Sequence, residues 1–127
     1  MKVKKTSLLF VVTILFFSLC TPLLAKPNRK NPIFMGEVLE VSKDNSGNTL
    51  LLVDGYLKTQ QVSKQNVVAV VGPDTKILNC EGEESNAGMF EKGDVVFIVL
   101  SEAMTFSIPP QSVARKIKVC KPMNNTD

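Results

Sequence analysis

The stretch Gly93-Asp94-Val95-Val96-Phe97-Ile98-Val99-Leu100 decides the fold, because a Gly-Asp pair opens a run of six apolar residues. Gly and Asp favour turns, and a short apolar run after them is typical of a buried strand. A second such run, Val67–Val71, is β-branched except at Ala69 and ends at Gly72-Pro73-Asp74. No long segment has the periodicity of a helix, so we predict an all-β protein.

The other strand candidates are separated by turn-forming residues. Asp54-Gly55 is predicted to be a tight turn, and Ala87–Lys92 a short helical turn anchored by Met89 and Phe90. Short strands at this spacing, with one helical insert before the last two, predict a five- to six-stranded barrel of the oligonucleotide/oligosaccharide-binding (OB) type. The remaining strand candidates are Ile33–Val41, Thr49–Val53, Leu57–Val62, Thr75–Cys80 and Val113–Val119.

The first 25 residues have the parts of a bacterial secretory signal peptide. A basic start at Lys2 to Lys5 precedes the apolar run Leu8–Cys20, and Ala25 offers a small residue for cleavage. We expect cleavage after Ala25. The alternative is an uncleaved anchor, and only in that case would the segment be the chain's contact with the membrane. Lipidation at Cys20 is disfavoured because Leu19 occupies the place of a small residue. The rest is predicted to be a flexible lead-in (26–32), one barrel domain (33–120) and a tail (121–127).

The charge balance argues against a nucleic-acid partner. The chain has 15 Lys and Arg against 12 Asp and Glu, and three lysines lie in the leader, so the exported part is neutral. A neutral domain has no long-range attraction for nucleic acid. Strand alternation predicts Lys116 and Lys118 on one face and Arg115 on the other, with Lys121 just beyond. Stacking aromatics are not expected beside them, because Tyr56 is the one tyrosine and most phenylalanines lie in the leader or in apolar runs.

Catalytic chemistry has few candidates. The chain has no histidine, so neither a Ser-His-Asp nor a Cys-His site can be built, and we expect no enzyme and no cofactor. Glu81, Glu83 and Glu84 could hold a cation together with Asp94, but hard cations need six or more oxygens, so a solvated acidic loop is favoured. No metal site is therefore predicted there.

A calcium loop at Asp44-x-Ser46-x-Asn48 is also excluded. Such a loop has Gly at its sixth position and Glu at its twelfth, where this chain has Thr49 and Gly55. We predict a turn at Asp44.

The exported part contains two cysteines, Cys80 and Cys120. An even number in an exported domain favours a disulfide, with two buried free thiols as the alternative. In an OB barrel the third and fifth strands are parallel, which would bring the two cysteines together at neighbouring strand ends. A bond there would close a loop of about 40 residues and contribute roughly 4 kcal/mol.

Val67–Val71 and Val95–Leu100 are apolar on both faces, whereas a barrel strand has one inward face. The short helix and the loop carrying Met104, Phe106 and Ile108 are expected to cover the other face. The alternative is a surface for a partner or for self-association. Its candidate residues are Val96, Ile98, Met104, Phe106 and Ile108.

Three motifs resemble those of small exported OB-like domains of Gram-positive bacteria. They are Gly36-Glu37-Val38, Gly93-Asp94-Val95-Val96 and Ser107–Ile117, which includes Pro109, Gln111 and Ala114. The resemblance spans Phe34 to Val119, although Ile108 stands where those domains have Tyr. Val70–Ile77 is similar to a neighbouring group of bacterial OB-like domains. These families are largely of unknown function, so the resemblance implies a fold and a compartment but no chemistry.

These observations together predict an exported, non-enzymatic binding module of the bacterial cell envelope. Its partner is expected to be a protein or a glycan. A structural or self-associating accessory domain without a ligand is the alternative function.

Overall fold

The structure is a computed structural model that describes residues 30–123. Its one helical element is a 3₁₀ turn, Ala87–Met89. Within residues 30–123, no helix has the length and apolar character needed to cross a membrane. The predicted leader, Cys20 and the end of the tail lie outside the described residues. The six strands are β1 (Ile33–Lys43), β2 (Thr49–Lys58), β3 (Val62–Val71), β4 (Lys76–Leu78), β5 (Val95–Met104) and β6 (Gln111–Cys120).

Five of the strands form a closed barrel. They pair in the order β3-β2-β1-β5-β6, and a parallel pairing of Val68–Val70 with Gln111–Val113 closes the ring. The sixth strand, β4, extends the sheet by pairing in parallel with β6. The all-β barrel predicted from the sequence is confirmed, and its topology is consistent with an OB-like fold.

The barrel is filled by the inward residues of each strand. Because side chains alternate between the two faces of a strand, every second residue of β2 is buried, and so are Val96, Ile98 and Leu100 in the first half of β5. The largest completely buried side chains are Phe34, Leu51, Ile98, Leu100 and Ile117.

Asp54-Gly55 does not form a turn, and this prediction is wrong. Both residues lie within β2, where Gly55 is opposite Gly36 of β1. The backbones approach so closely that a Cβ atom on Gly55 would lie 2.6 Å from the Gly36 Cα. The chain turns instead after Lys58, where the N–H of Thr59 donates to the Gln61 carbonyl at 3.0 Å. The predicted strand Leu57–Val62 therefore contains the turn between β2 and β3.

Gly93-Asp94 connects the start of β5 to β1. Gly93 has a φ of 93°, a left-handed conformation that favours glycine. Its N–H donates to the Val38 carbonyl at 2.8 Å, and the Val38 N–H donates to the Asp94 carbonyl at 2.9 Å. The register of β1 against β2 shifts at this point, between Val38 and Glu40. Gly93-Asp94 thus has a structural role at a β-bulge.

The predicted disulfide is present between Cys80 and Cys120, whose Cα atoms are 4.7 Å apart. The two cysteines follow strands that run side by side, since Ile77 of β4 pairs in parallel with Ile117 of β6. A disulfide is typical of proteins that fold in an oxidising compartment outside the cytoplasm.

Candidate functional site

The loop between β5 and β6, residues 105–110, is held in one conformation by its own hydrogen bonds. The N–H of Thr105 donates to the Gln111 carbonyl, and the N–H of Gln111 donates to Thr105 Oγ1, both at 2.9 Å. The Ser107 hydroxyl lies 2.6 Å from Thr105 Oγ1 and donates to the Pro109 carbonyl at 3.0 Å. The Ile108–Pro109 peptide is cis. The polar groups at the base of the loop are therefore paired with one another.

Phe106 and Ile108 project from this loop into solvent. Both side chains are completely exposed, at 105% and 99% of their reference areas. The expectation that the loop covers the apolar strands is therefore wrong for these two residues. Met104, at the end of β5, is half-buried and packs against the core. Two large apolar side chains kept fully in water have no packing role within the described residues, which makes them candidates for contact with another molecule.

Val96 and Ile98, the other two candidate surface residues, lie in the barrel core at 1% and 0% exposure. The outward residues of β5 are their neighbours Val95 and Phe97, exposed by 50% and 39%. The apolar run alone could not distinguish the two faces, because both are apolar.

Two clefts flank the base of the β5–β6 loop, with volumes of about 440 and 340 Å³. The residues that line the two clefts are apolar or uncharged. The first cleft is lined by Leu52, Gln65, Asn66, Ile108, Pro109 and Pro110. The second is lined by Val70, Ala103, Met104, Thr105, Gln111, Ser112 and Val113. The loop and the two clefts together are named the loop site.

A second exposed strip crosses the outer face of the barrel. Tyr56, Met35 and Phe97 are in register on adjacent strands, and Lys64 and Lys118 continue the row at its two ends. The strip thus has two partly exposed aromatic rings between two lysines. The sequence does not reveal this strip, because Phe97 lies in an apolar run and the residues alone do not show which side chains of that run point outward.

The basic residues of β6 are not distributed between the two faces of the strand as alternation predicts. The register of β5 against β6 shifts between Val99 and Leu100, which leaves Arg115 as an extra residue between the partners of those two positions. Arg115 and Lys116 are therefore both exposed. Lys121, in the predicted tail, is held to the barrel by Asp94 at 2.8 Å.

The acidic residues near Cys80 lie on a loop that is closed by Asn79. Asn79 accepts backbone N–H bonds from Glu81 and Glu83, which forms a tight loop. Asp94 is buried against Lys121 rather than facing Glu84. Within residues 30–123 no three His, Cys, Asp or Glu residues are grouped closely enough to hold a metal ion.

The turn predicted at Asp44 is present. Its Oδ1 accepts the N–H groups of Ser46 and Asn48, each at 2.9 Å. The Asn48 side chain donates to its Oδ2 at 3.0 Å, and this bond lowers the pKa of the carboxyl group. The carboxylate organises a turn rather than a cation site.

No protein-family model matches this chain, and a comparison with curated proteins finds no match either.

Proposed function

We propose that this protein is an exported, non-enzymatic binding module of the bacterial envelope, and that the loop site contacts its partner. The observation that carries the proposal is the complete exposure of Phe106 and Ile108 on a loop whose polar groups are internally bonded. The Cys80–Cys120 disulfide supports the assignment to an exported domain.

Exposed apolar side chains on a loop that is held by its own hydrogen bonds contribute to binding in two ways. Their removal from water on contact is favourable, by about 25 cal/mol for each Å² of apolar surface buried. Because the loop is already ordered, little conformational entropy is lost when the partner binds. The neighbouring clefts would then receive side chains of the partner.

The test is photocrosslinking in the producing bacterium. A benzophenone amino acid replaces Phe106, and in a matched protein it replaces Phe97, a partly exposed aromatic residue within β5. Each protein is also made with Ile108→Ser, a substitution of a fully exposed residue that should leave the unfolding free energy within about 0.5 kcal/mol.

A discrete adduct at position 106 that disappears with Ile108→Ser, and is absent at position 97, supports the proposal. An adduct with twice the mass of the chain would instead identify the alternative function, self-association. Equal adduct yields at both positions, or none at position 106, would overturn the loop site as a binding surface.

A further inference from the structure

One edge of β3 is unpaired over half of its length. The β3–β6 ladder includes Val68–Val70 only, whereas β3 begins at Val62. On its other edge β3 pairs with β2 without interruption from Val62 to Val71. Among the described residues, no strand lies beside the free edge from Val62 to Asn66.

The sequence explains why the ladder stops at this point. Pro109 and Pro110 precede β6, and neither has an N–H to donate to a neighbouring strand. The Pro110 carbonyl still accepts the N–H of Val68, at 2.9 Å. That bond shows which backbone N–H and C=O groups of β3 point away from β2.

The N–H and C=O of alternate residues in a strand point to the same edge. Since the N–H of Val68 points towards β6, the backbone groups of Val62, Lys64 and Asn66 point to the open edge. Those of Ser63 and Gln65 point to β2 instead, within the continuous β2–β3 register. Three donors and three acceptors are thus available for an added strand.

Side chains that could recognise such a strand lie next to this edge. The 440 Å³ cleft runs between β3 and the β5–β6 loop and contains Asn66 and Ile108 in its walls. Lys64 and Lys58 are exposed near the turn between β2 and β3, whereas Asp54 of β2 lies opposite Asn66 at the other end of the free segment. The part of the edge around Lys64 is therefore positively charged, and the cleft beside it has a mainly apolar wall.

The positive charge of Lys64 determines which kind of strand can pair with this edge of β3. A second copy that paired antiparallel along the whole free segment would place Lys64 opposite the Lys64 of that copy, and like charges opposite each other are destabilising. An acidic side chain opposite Lys64 would instead stabilise the pairing. The cleft beside Ile108 favours an apolar residue in the same strand.

We propose that β3 binds an extended segment of a partner protein by strand addition, and that the segment alternates acidic and apolar residues. This inference rests on the proposed function and specifies the partner that the loop site would meet. The backbone of β3 provides the hydrogen bonds, Lys64 pairs with an acidic side chain, and Ile108 contacts an apolar one.

The experiment measures amide hydrogen exchange by NMR in the presence of synthetic peptides. One pool contains seven-residue peptides that alternate Asp or Glu with Val, Ile, Leu or Phe, and the control pool has Lys at the acidic positions. At ninety per cent occupancy the acidic pool should slow exchange at Val62, Lys64 and Asn66 about tenfold, because exchange then proceeds through the free fraction. Ser63 and Gln65 should not change.

Substitutions of Lys64 separate the contribution of the backbone hydrogen bonds from that of the side-chain charge. Lys64→Pro removes an N–H that faces the open edge, so it should abolish protection while the β2–β3 ladder remains. Lys64→Glu should reverse the preference and favour the Lys pool, and Lys64→Gln should remove the preference. Each variant's unfolding free energy is measured to show that the barrel is intact.

No protection by the acidic pool, or equal protection by both pools, would overturn the inference. Protection that rises with protein concentration without peptide would overturn it in favour of a second copy. If the position-106 adduct forms in cells and Lys64→Pro does not weaken it, the loop site remains and strand addition fails. If Lys64→Pro removes both the adduct and the protection, the two proposals are supported together.

Discussion

The carboxylate of Asp94 and the ammonium group of Lys121 lie 2.8 Å apart, and Asp94 is 1% exposed. Asp94 Oδ2 also accepts the N–H of Glu91 at 2.9 Å, while Lys121 donates to the Met89 carbonyl. Asp94 Oδ1 has no hydrogen-bond partner among the described residues. The pair connects the chain after the disulfide to the turn before β5, so a residue predicted to lie in a tail is part of the fold.

Lys121→Met should destabilise the protein because it leaves the Asp94 carboxylate buried without a counter-charge. Breaking a fully buried pair costs about 3–5 kcal/mol, but Lys121 is partly exposed and water screens it, so we expect a loss of about 2 kcal/mol. Urea unfolding at pH 7 measures the change. Lys92→Met removes an exposed lysine nearby and is the control. Equal unfolding free energies for the two variants would show that the Asp94–Lys121 pair contributes nothing.

Gly55→Ala should be among the most damaging small substitutions in the barrel. The added Cβ would overlap the Met35 carbonyl oxygen and lie 2.6 Å from the Gly36 Cα, so β1 and β2 would have to separate. We expect a loss of about 3 kcal/mol, the upper range for overpacking. The control is Gly72→Ala, whose Cβ would meet only Asn48 Oδ1 at 3.5 Å. A thermal midpoint for Gly55→Ala equal to that of Gly72→Ala would contradict this account.

The same glycine shows where sequence patterns mislead. Apolar runs and turn formers predicted an all-β barrel, because burial and alternation are local properties of each strand. Asp54-Gly55 has the composition of a tight turn, yet it serves a close contact with a residue 19 positions earlier, Gly36. The real turn, around Gln61, contains neither Gly nor Pro. A local signal could not distinguish a turn from a close approach of two strands.

The candidate site was predictable only in part. The doubly apolar strands favour Phe106 and Ile108 as a cover and offer a surface only as the alternative, yet both side chains are exposed, while Val96 and Ile98 belong to the core. A run that is apolar on both faces does not show its inward parity, which the pairing with β1 decides. The open edge of β3 could not be predicted either, since it depends on where the β3–β6 ladder begins.

Asp44→Asn should destabilise the protein at neutral pH and much less in acid. The hydrogen bond from the Asn48 side chain holds the pKa of Asp44 below its ordinary value of 3.8, and backbone N–H bonds add to the effect. A carboxyl group with a lowered folded pKa stabilises the fold above its unfolded pKa, and this contribution is lost as the pH falls through the folded pKa. The difference from the parent protein should therefore shrink below pH 3.8. Urea unfolding at pH 7 and pH 3 measures it.

The control for that experiment is Asp74→Asn, which removes one negative charge from another loop. If Asp44→Asn and Asp74→Asn show the same pH dependence, the effect comes from net charge rather than from the Asp44 turn.

Removing the disulfide should weaken the fold without changing it. Cys80 and Cys120 are 40 residues apart, and the bond restricts the unfolded chain more than it restricts strands that already pair in parallel. In the chain-entropy model a loop of this length contributes roughly 4 kcal/mol, so the Cys80→Ala/Cys120→Ala variant should unfold at a much lower urea concentration. The parent protein in excess reductant is the matched control and should unfold at nearly the same urea concentration as the variant.

The amide NMR spectrum of the variant should keep the chemical-shift dispersion of the barrel, because Ile77 and Ile117 still pair. A variant that unfolds at the same urea concentration as the oxidised parent would contradict this prediction.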